Sequence, residues 1–350
     1  MCEMKPLVAL TMGDPAGIGP ETIAAAWASP ELHALCRAVV VGHPQVMRRA
    51  LALVGTEACV VQIRDPSEVS GSSDTLPCLS ACSDDAAAVE PASVDARGGQ
   101  AAFDSVTTAC RLALTGDVDA ITTAPLNKAA LSAAGHDYPG HTELLADLCS
   151  VSDVAMMLYL APGPAVHGTA GLGVGHVTLH MALRDVFSQL TVERIVTTCH
   201  LVDRVMRAMM APEAARDPKI GVCALNPHAG EQQLFGDEEV RLIRPAVERG
   251  RNEGLELDGP FPADTLMARA ASGVYDGVVA MYHDQGHIAL KLLDMYHAVN
   301  VTLGLPVIRT SVAHGTAFDL AWTGKARWAP VVEAVRVAAQ LAAYRRKQES

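Results

Sequence analysis

Short, β-branched apolar runs alternate along the chain with segments whose apolar positions recur at helical spacing. Residues 7–12, 38–42, 118–125, 154–160, 219–225, 275–282 and 298–303 read as strands. Most of them lack a polar alternate face, which is the mark of strands buried on both sides. Helical spacing runs through 44–53, 98–114, the segment from Gly140 to Cys149, 191–210, a stretch from Asp237, and 331–344. Strands alternating with helices predict an α/β protein with mostly parallel sheets covered on both faces. Two stretches break the pattern. Residues 65–97 are polar, with Gly, Ser and Asp clusters, and predict loop or short edge strands. Residues 161–175 are rich in Pro and Gly and predict an extended loop, with 176–183 extended after it.

Groups able to do chemistry gather just past the strands, where open α/β sheets bind ligands. His283-Asp284-Gln285-Gly286-His287 follows one strand, His228 follows 222–225, and His180 lies beside 177–179. Three imidazoles at one sheet edge would make a divalent-metal site with a position open to substrate. His176 competes with His180, because both fall on one face of an extended segment. His287 competes with His283 from one helical turn away. The plain alternative for each is a histidine hydrogen-bonded in the core or at the surface.

Composition narrows the class. In 350 residues half are hydrophobic and 19% charged, the profile of a globular enzyme with a sizeable core rather than a disordered chain. A net charge of −12 argues against nucleic acid or an acidic membrane as partner, while leaving room for an anionic small substrate at local cations. Nine dispersed cysteines without a CxxC pair read as reduced thiols of a cytoplasmic protein. No signal peptide and no membrane-spanning apolar run is expected. The turn Gly13-Asp14-Pro15-Ala16-Gly17-Ile18-Gly19 opens a helix, and its N–H groups could approach an anion, although it is not a dinucleotide fingerprint. Lys291, Arg309 and Lys325 are cations late in the chain. Arg309 stands in an apolar neighbourhood, and a buried guanidinium needs an anionic partner, either ligand or structural carboxylate.

Several blocks are specific enough to carry a resemblance: Gly13-Asp14-Pro15-Ala16-Gly17-Ile18-Gly19-Pro20-Glu21; Gly140-His141-Thr142-Glu143; Leu225-Asn226-Pro227-His228-Ala229-Gly230-Glu231; residues 280–286; and Val299-Asn300-Val301-Thr302-Leu303-Gly304-Leu305-Pro306 running on to Arg309-Thr310-Ser311. Through almost its full length the chain resembles the 4-hydroxythreonine-4-phosphate dehydrogenase family. The resemblance implies a two-domain isocitrate/isopropylmalate dehydrogenase-like fold, with mostly parallel sheets and a cleft between domains. The expected domains are 1–135 with 300–350, and 136–299. It implies NAD- or NADP-linked oxidation and decarboxylation of a 4-phosphorylated 3-hydroxy acid, with a divalent metal, Zn²⁺ ahead of Mg²⁺ or Co²⁺. By similarity His180, His228 and His283 are metal ligands, shared across a homodimer interface. His141, Thr142, Lys291, Asn300 and Arg309 are substrate positions, and Lys291, His141 and Asp284 carry catalysis. His314, Gly315, Thr316 and Asp319 belong to a cofactor loop.

Two features depart from the family. The segment 161–175 is longer than the usual hairpin, and Trp322 stands where a Gly is usual. Residues 234–239 and 287–293 look more like the branch that oxidises 4-phospho-D-threonate or 4-phospho-D-erythronate in sugar-acid breakdown than like that of pyridoxal phosphate synthesis. The substrates differ mainly at C2, amino against hydroxyl, a difference that one polar contact can read. The rival classes are a non-catalytic phosphometabolite-binding protein and a metallohydrolase working without nicotinamide.

Overall fold

The computed structural model describes residues 5–349 apart from 212, 213 and 215. The strands among the described residues, in chain order, are β1 Leu7–Thr11, β2 Arg37–Gly42, β3 Cys59–Ile63, β4 Thr75–Ser80, β5 Ala120–Thr123, β6 Ala155–Leu160, β7 Leu172–His176, β8 Ile220–Cys223, β9 Leu257–Phe261, β10 Gly277–Ala280, β11 Val299–Leu303 and β12 Arg309–Val312. The chain divides into two compact units, residues 1–154 with 305–350, and residues 155–304.

In the first unit the strand order is β3-β4-β2-β1-β5-β12 and every pairing is parallel. Alternation along the strands sends side chains into two separate cores. Val8 and Leu10 of β1 and Ala38 and Val40 of β2 point to one face, under the helices Gly19–Trp27, Pro44–Val54 and Ala329–Glu349. Leu7, Ala9, Val39 and Val41 point to the other, under Ala96–Leu114 and His141–Leu148. A sheet buried on both faces needs apolar residues at consecutive positions, which is why these strands lack a polar alternation. β4 lies between β3 and β2 with its middle residues fully covered. The expectation of loop or edge strand for 65–97 therefore misses an interior strand.

The second unit has the order β11-β6-β7-β10-β8-β9. β6 runs antiparallel to both β11 and β7, and the remaining pairs are parallel. β7 occupies 172–176, and all of it but His176 falls where the sequence predicted loop. Its glycines have a steric reason. A Cβ at Gly175 would lie 2.3 Å from Val202 Cγ2, and one at Gly173 would lie 2.6 Å from Met206 Sδ. The helix Val192–Met209 lies this close to the strand because those side chains are missing. After β7, Val177 and Thr178 continue along β10, Met181 N then turns back onto Leu179 O, and a helix begins at Leu183, so 176–183 is extended only in its first residues.

The helix His141–Leu148 falls in the first unit rather than with residues 155–304. Leu144 and Leu145 are fully buried in that unit's core, and Cys110 and Cys149 bring their Sγ atoms to 3.6 Å. Among the described residues no helix is long and apolar enough to cross a membrane.

Candidate active site

Arg309 opens β12, and the parallel register sets it opposite Ile121 of β5. Its side chain is 2% exposed, and its Nε and Nη2 donate to Thr123 Oγ1 at 3.2 and 2.7 Å. Burial draws the guanidinium down to about 9, with the Glu143 carboxylate opposing, so it remains charged at neutral pH. His141 begins the helix His141–Leu148. Desolvation, then the neighbouring Arg309 charge, hold its pKa well below the ordinary value, while a hydrogen bond with the Ala124 backbone works the other way. Its Nε2 is buried and has no partner among the described residues. A neutral ring that donates to Ala124 through Nδ1 therefore presents Nε2 as an acceptor. Thr142 follows, 7% exposed.

Four amides of the glycine-rich turn are spent on the protein itself. Asp14 N donates to Pro125 O, Ala16 N to Asp14 Oδ1, Gly17 N to Asp14 O and Ile18 N to Thr316 O, all at 2.9–3.1 Å. Those amides are used within the protein. What the turn does is seat the 314–324 segment. A Cβ at Gly17 would lie 2.9 Å from Thr316 Cβ, so only glycine permits this approach. Trp322 adopts φ 58°, a left-handed conformation that explains why glycine suits the position. The indole is held there by donating from Nε1 to Pro15 O at 2.8 Å and by the Arg49 guanidinium 3.8 Å above its ring. Of the expected cofactor residues, His314, Gly315 and Asp319 are exposed and Thr316 is anchored by its carbonyl.

In the second unit, residues 177 and 178 extend the β7 path along β10, with Val177 N on Ala280 O and Thr178 Oγ1 on Met281 O. His180 follows two residues later, its ring centroid 5.8 Å from that of His283. His283 is the first residue of the helix His283–Asp294, and its Nδ1 lies 2.7 Å from Asp284 Oδ1. The same helix face carries His287 and Lys291, the latter roughly 12 Å along the axis from His283.

His176 belongs to the core. It is fully buried, with Nδ1 on Met156 O and Nε2 on His287 Nδ1, both at 3.1 Å. The carbonyl can only accept, so His176 donates from Nδ1 and accepts at Nε2, and His287 donates to it. A Cβ at Gly286 would stand 2.4 Å from His176 Nε2, so glycine there lets the two rings meet. With both nitrogens committed, His176 offers no lone pair to a metal. Burial lowers His176 to about 4 and His287 to about 2. Both folded values lie below the unfolded 6.5, so the unfolded chain binds the extra protons. The stability from neutral His176 is complete above about pH 6.5 and falls by on the order of 3 kcal/mol as pH drops to its folded value. His176→Ala is expected to lower the melting temperature by several degrees and flatten this acid dependence, with bound metal unchanged. Loss of metal at constant stability, by elemental analysis and thermal melts, would make it a ligand instead.

His228 lies in an unusual loop. His228, Ala229, Gly230, Glu231, Gln232 and Gln233 all have positive φ, from 41° to 78°. Each non-glycine residue held there costs on the order of 1 kcal/mol. The His228 side chain is 73% exposed, its Nδ1 3.4 Å from Glu231 Oε2. The loop lines a cavity of about 650 Å³ with Asn226, Tyr282, Asp284, Gln285 and Ile288.

The donor chemistry fits a divalent ion. His283 and His228 each have a carboxylate beside Nδ1, which leaves Nε2 as the ligating atom, the arrangement usual for metal-bound histidine. His180 and His283 lie close together. Among the described residues, however, no group of three His, Cys, Asp or Glu converges enough to hold an ion within one chain. His228 therefore does not join the other two. Asn300, on β11 opposite Leu158, has a buried Oδ1 with no hydrogen-bond partner among the described residues.

Two residues that support this region were not legible in the sequence. Gln285 donates to Ala224 O and accepts from Met281 N, both at 2.7 Å, and so ties the ends of β8 and β10 together. Glu239 is 1% exposed and accepts from the backbone at Leu225 and Asn226. A Glu in a polar helical stretch carries no signal of such burial.

Comparison with known proteins adds the lineage. The family model described as pyridoxal phosphate biosynthetic protein PdxA matches residues 34–338. A D-threonate 4-phosphate dehydrogenase of Pectobacterium atrosepticum is 46% identical over 97% of this chain and 100% of its own length. A 4-hydroxythreonine-4-phosphate dehydrogenase of Geobacter metallireducens is 44% identical over 98% of this chain and 97% of its own. The crystal structure of 4-hydroxythreonine-4-phosphate dehydrogenase from Klebsiella pneumoniae superposes with a TM-score of 0.83 at 46% identity, covering 96% of this chain and 99% of that one. The chain belongs to the PdxA family.

Proposed function

We infer that the chain is an NAD(P)-linked dehydrogenase that oxidises and decarboxylates a 4-phosphorylated 3-hydroxy acid bearing an amino or hydroxyl group at C2. The observation that carries this reading is likeness, end to end, to relatives whose names all specify a 4-phosphate dehydrogenase. When bound, a nicotinamide nucleotide would supply the hydride acceptor, and a divalent ion, with zinc favoured, the Lewis acid for the hydroxyl. The residues divide the remaining work. His180, His228 and His283 are the proposed ligands, with Asp284 orienting His283. His141 is held neutral and accepts a hydroxyl proton at Nε2, Arg309 supplies fixed positive charge beside it, and Thr142 is a further substrate position. In the other unit, Asn300 accepts at Oδ1 and Lys291 offers a cation or a proton. His314, Gly315, Thr316 and Asp319 are proposed to contact the nucleotide.

A homodimer with a shared metal site agrees with the separation of His228 from the other two histidines. Exposed Leu183, Phe187, Leu234, Phe235, Ile288 and Leu292 in the same unit supply apolar surface for such an interface. Free cysteines agree with a cytoplasmic setting.

The test is NADH or NADPH formation on a panel of 4-phosphorylated acids and their dephosphorylated analogues, with metal controlled. Turnover of a phosphorylated member, dependent on nicotinamide and abolished by chelation, is expected. The amino and hydroxyl members identify the C2 preference. Hydrolysis without nicotinamide would replace this reading with the metallohydrolase.

A further inference from the structure

We propose that Glu239 is a positioning residue that holds the left-handed loop carrying His228 in its ligand-presenting form. The inference rests on His228 being a metal ligand, and its test is chosen to fail separately from that reading.

A run of consecutive positive-φ residues has no intrinsic stability in an L-chain, so something outside the run must fix it. The structure identifies what does. Glu239 Oε1 accepts from Leu225 N at 2.9 Å and Asn226 N at 2.7 Å, at the point where the chain leaves β8. Its Oε2 accepts from Asn226 Nδ2 at 3.1 Å, and the same amide donates to Glu238 Oε2 at 2.7 Å. Farther along, Gly230 packs directly on the carboxylate, since a Cβ there would lie 2.7 Å from Glu239 Oε2. One buried carboxylate thus grips the loop before His228 and abuts it after. Gly236, at φ 130°, closes the same knot, as a Cβ would meet Asn226 Nδ2 at 2.5 Å. Glu239 also begins a π-helical turn, Glu239–Ile243. Such turns are local departures from the α-helix that recur near functional sites. Glu239 is 1% exposed, with its carboxylate spent on Leu225 and Asn226. It acts through His228.

Glu239→Gln is the probing variant. Its amide oxygen can serve the two backbone N–H groups, but its NH₂ then faces the Asn226 NH₂, donor against donor. Zinc affinity is read by competition with a chromophoric chelator, and loop order by hydrogen exchange of the amides at 226–233. Expected are faster exchange confined to that loop, a roughly 10–100-fold weaker zinc affinity, and kcat restored at saturating zinc. Asn226→Ala keeps the buried carboxylate, and should show the same pattern more weakly if Glu239→Gln does not fold. Unchanged exchange at 226–233 would overturn the proposal. So would faster exchange with undiminished zinc affinity in a protein whose His228→Ala variant does lose zinc. If His228→Ala itself keeps wild-type affinity, the ligand reading falls and the proposed role of Glu239 falls with it, whatever the exchange shows.

Discussion

His228→Ala and His283→Ala are each expected to abolish NAD(P)H formation through loss of metal while the fold survives. Removing one imidazole leaves a divalent ion with too few protein ligands. The loss should exceed the roughly 10–100-fold in affinity that partners outside the coordination sphere contribute. Asp284→Asn provides that lower mark, because it disturbs only the hydrogen bond to His283 Nδ1. The fold should tolerate all three changes. The His228 side chain is 73% exposed and the His283 side chain 37%, so no core cavity opens. Metal-free melting temperatures within a degree or two of wild type, with zinc retention falling in the order Asp284→Asn, then either His→Ala, would match. Near-native turnover by either His→Ala variant at low metal would remove that residue from the ligand set.

Much of the scaffold was readable because burial on both faces leaves a plain trace. β1, β2 and β10 are apolar at consecutive positions, and the helices Ala96–Leu114, Val192–Met209 and Ala329–Glu349 carry the 3.6-residue period. β7 was hidden for the opposite reason. Its interior positions are glycines that make room for Val202 and Met206, and tertiary crowding of that sort writes no apolar pattern. The division at 154 was equally opaque, since only packing shows that Leu144 and Leu145 belong to the core of the first unit.

The histidines show where motif reading stops. Their positions past strand ends were visible, yet His176 and His180 differ by environment alone. His176 is committed at both ring nitrogens inside the core, a fact about Met156 and His287 that no spacing encodes. In the glycine-rich turn too, packing decides: the amides of Asp14, Ala16, Gly17 and Ile18 go to Pro125, Asp14 and Thr316, which no spacing encodes. Glu239 and Gln285 are the converse, ordinary polar residues whose importance comes from the backbone groups that reach them.

Neutralising Lys291 or altering Arg309 should weaken a phosphorylated substrate far more than its unphosphorylated analogue, which tests substrate class separately from metal. Charge-assisted contacts to phosphate in a partly desolvated site are worth about 1.5–3 kcal/mol, so a loss approaching a hundredfold in kcat/KM is expected. Lys291→Met is the cleaner variant. Lys291 is half-buried two turns beyond His283, and no core packing depends on its charge. Arg309→Lys asks a sharper question. Lysine keeps the charge but cannot reproduce the fork that places two N–H groups on Thr123 Oγ1, so it should be impaired although the site stays cationic. These comparisons need fixed metal and saturating cofactor, so that substrate recognition alone varies. Equal losses on the two substrates would mean that Arg309 serves Glu143 and Thr123 structurally, or that both cations read the carboxylate. The terminal phosphate would then leave the proposed substrate.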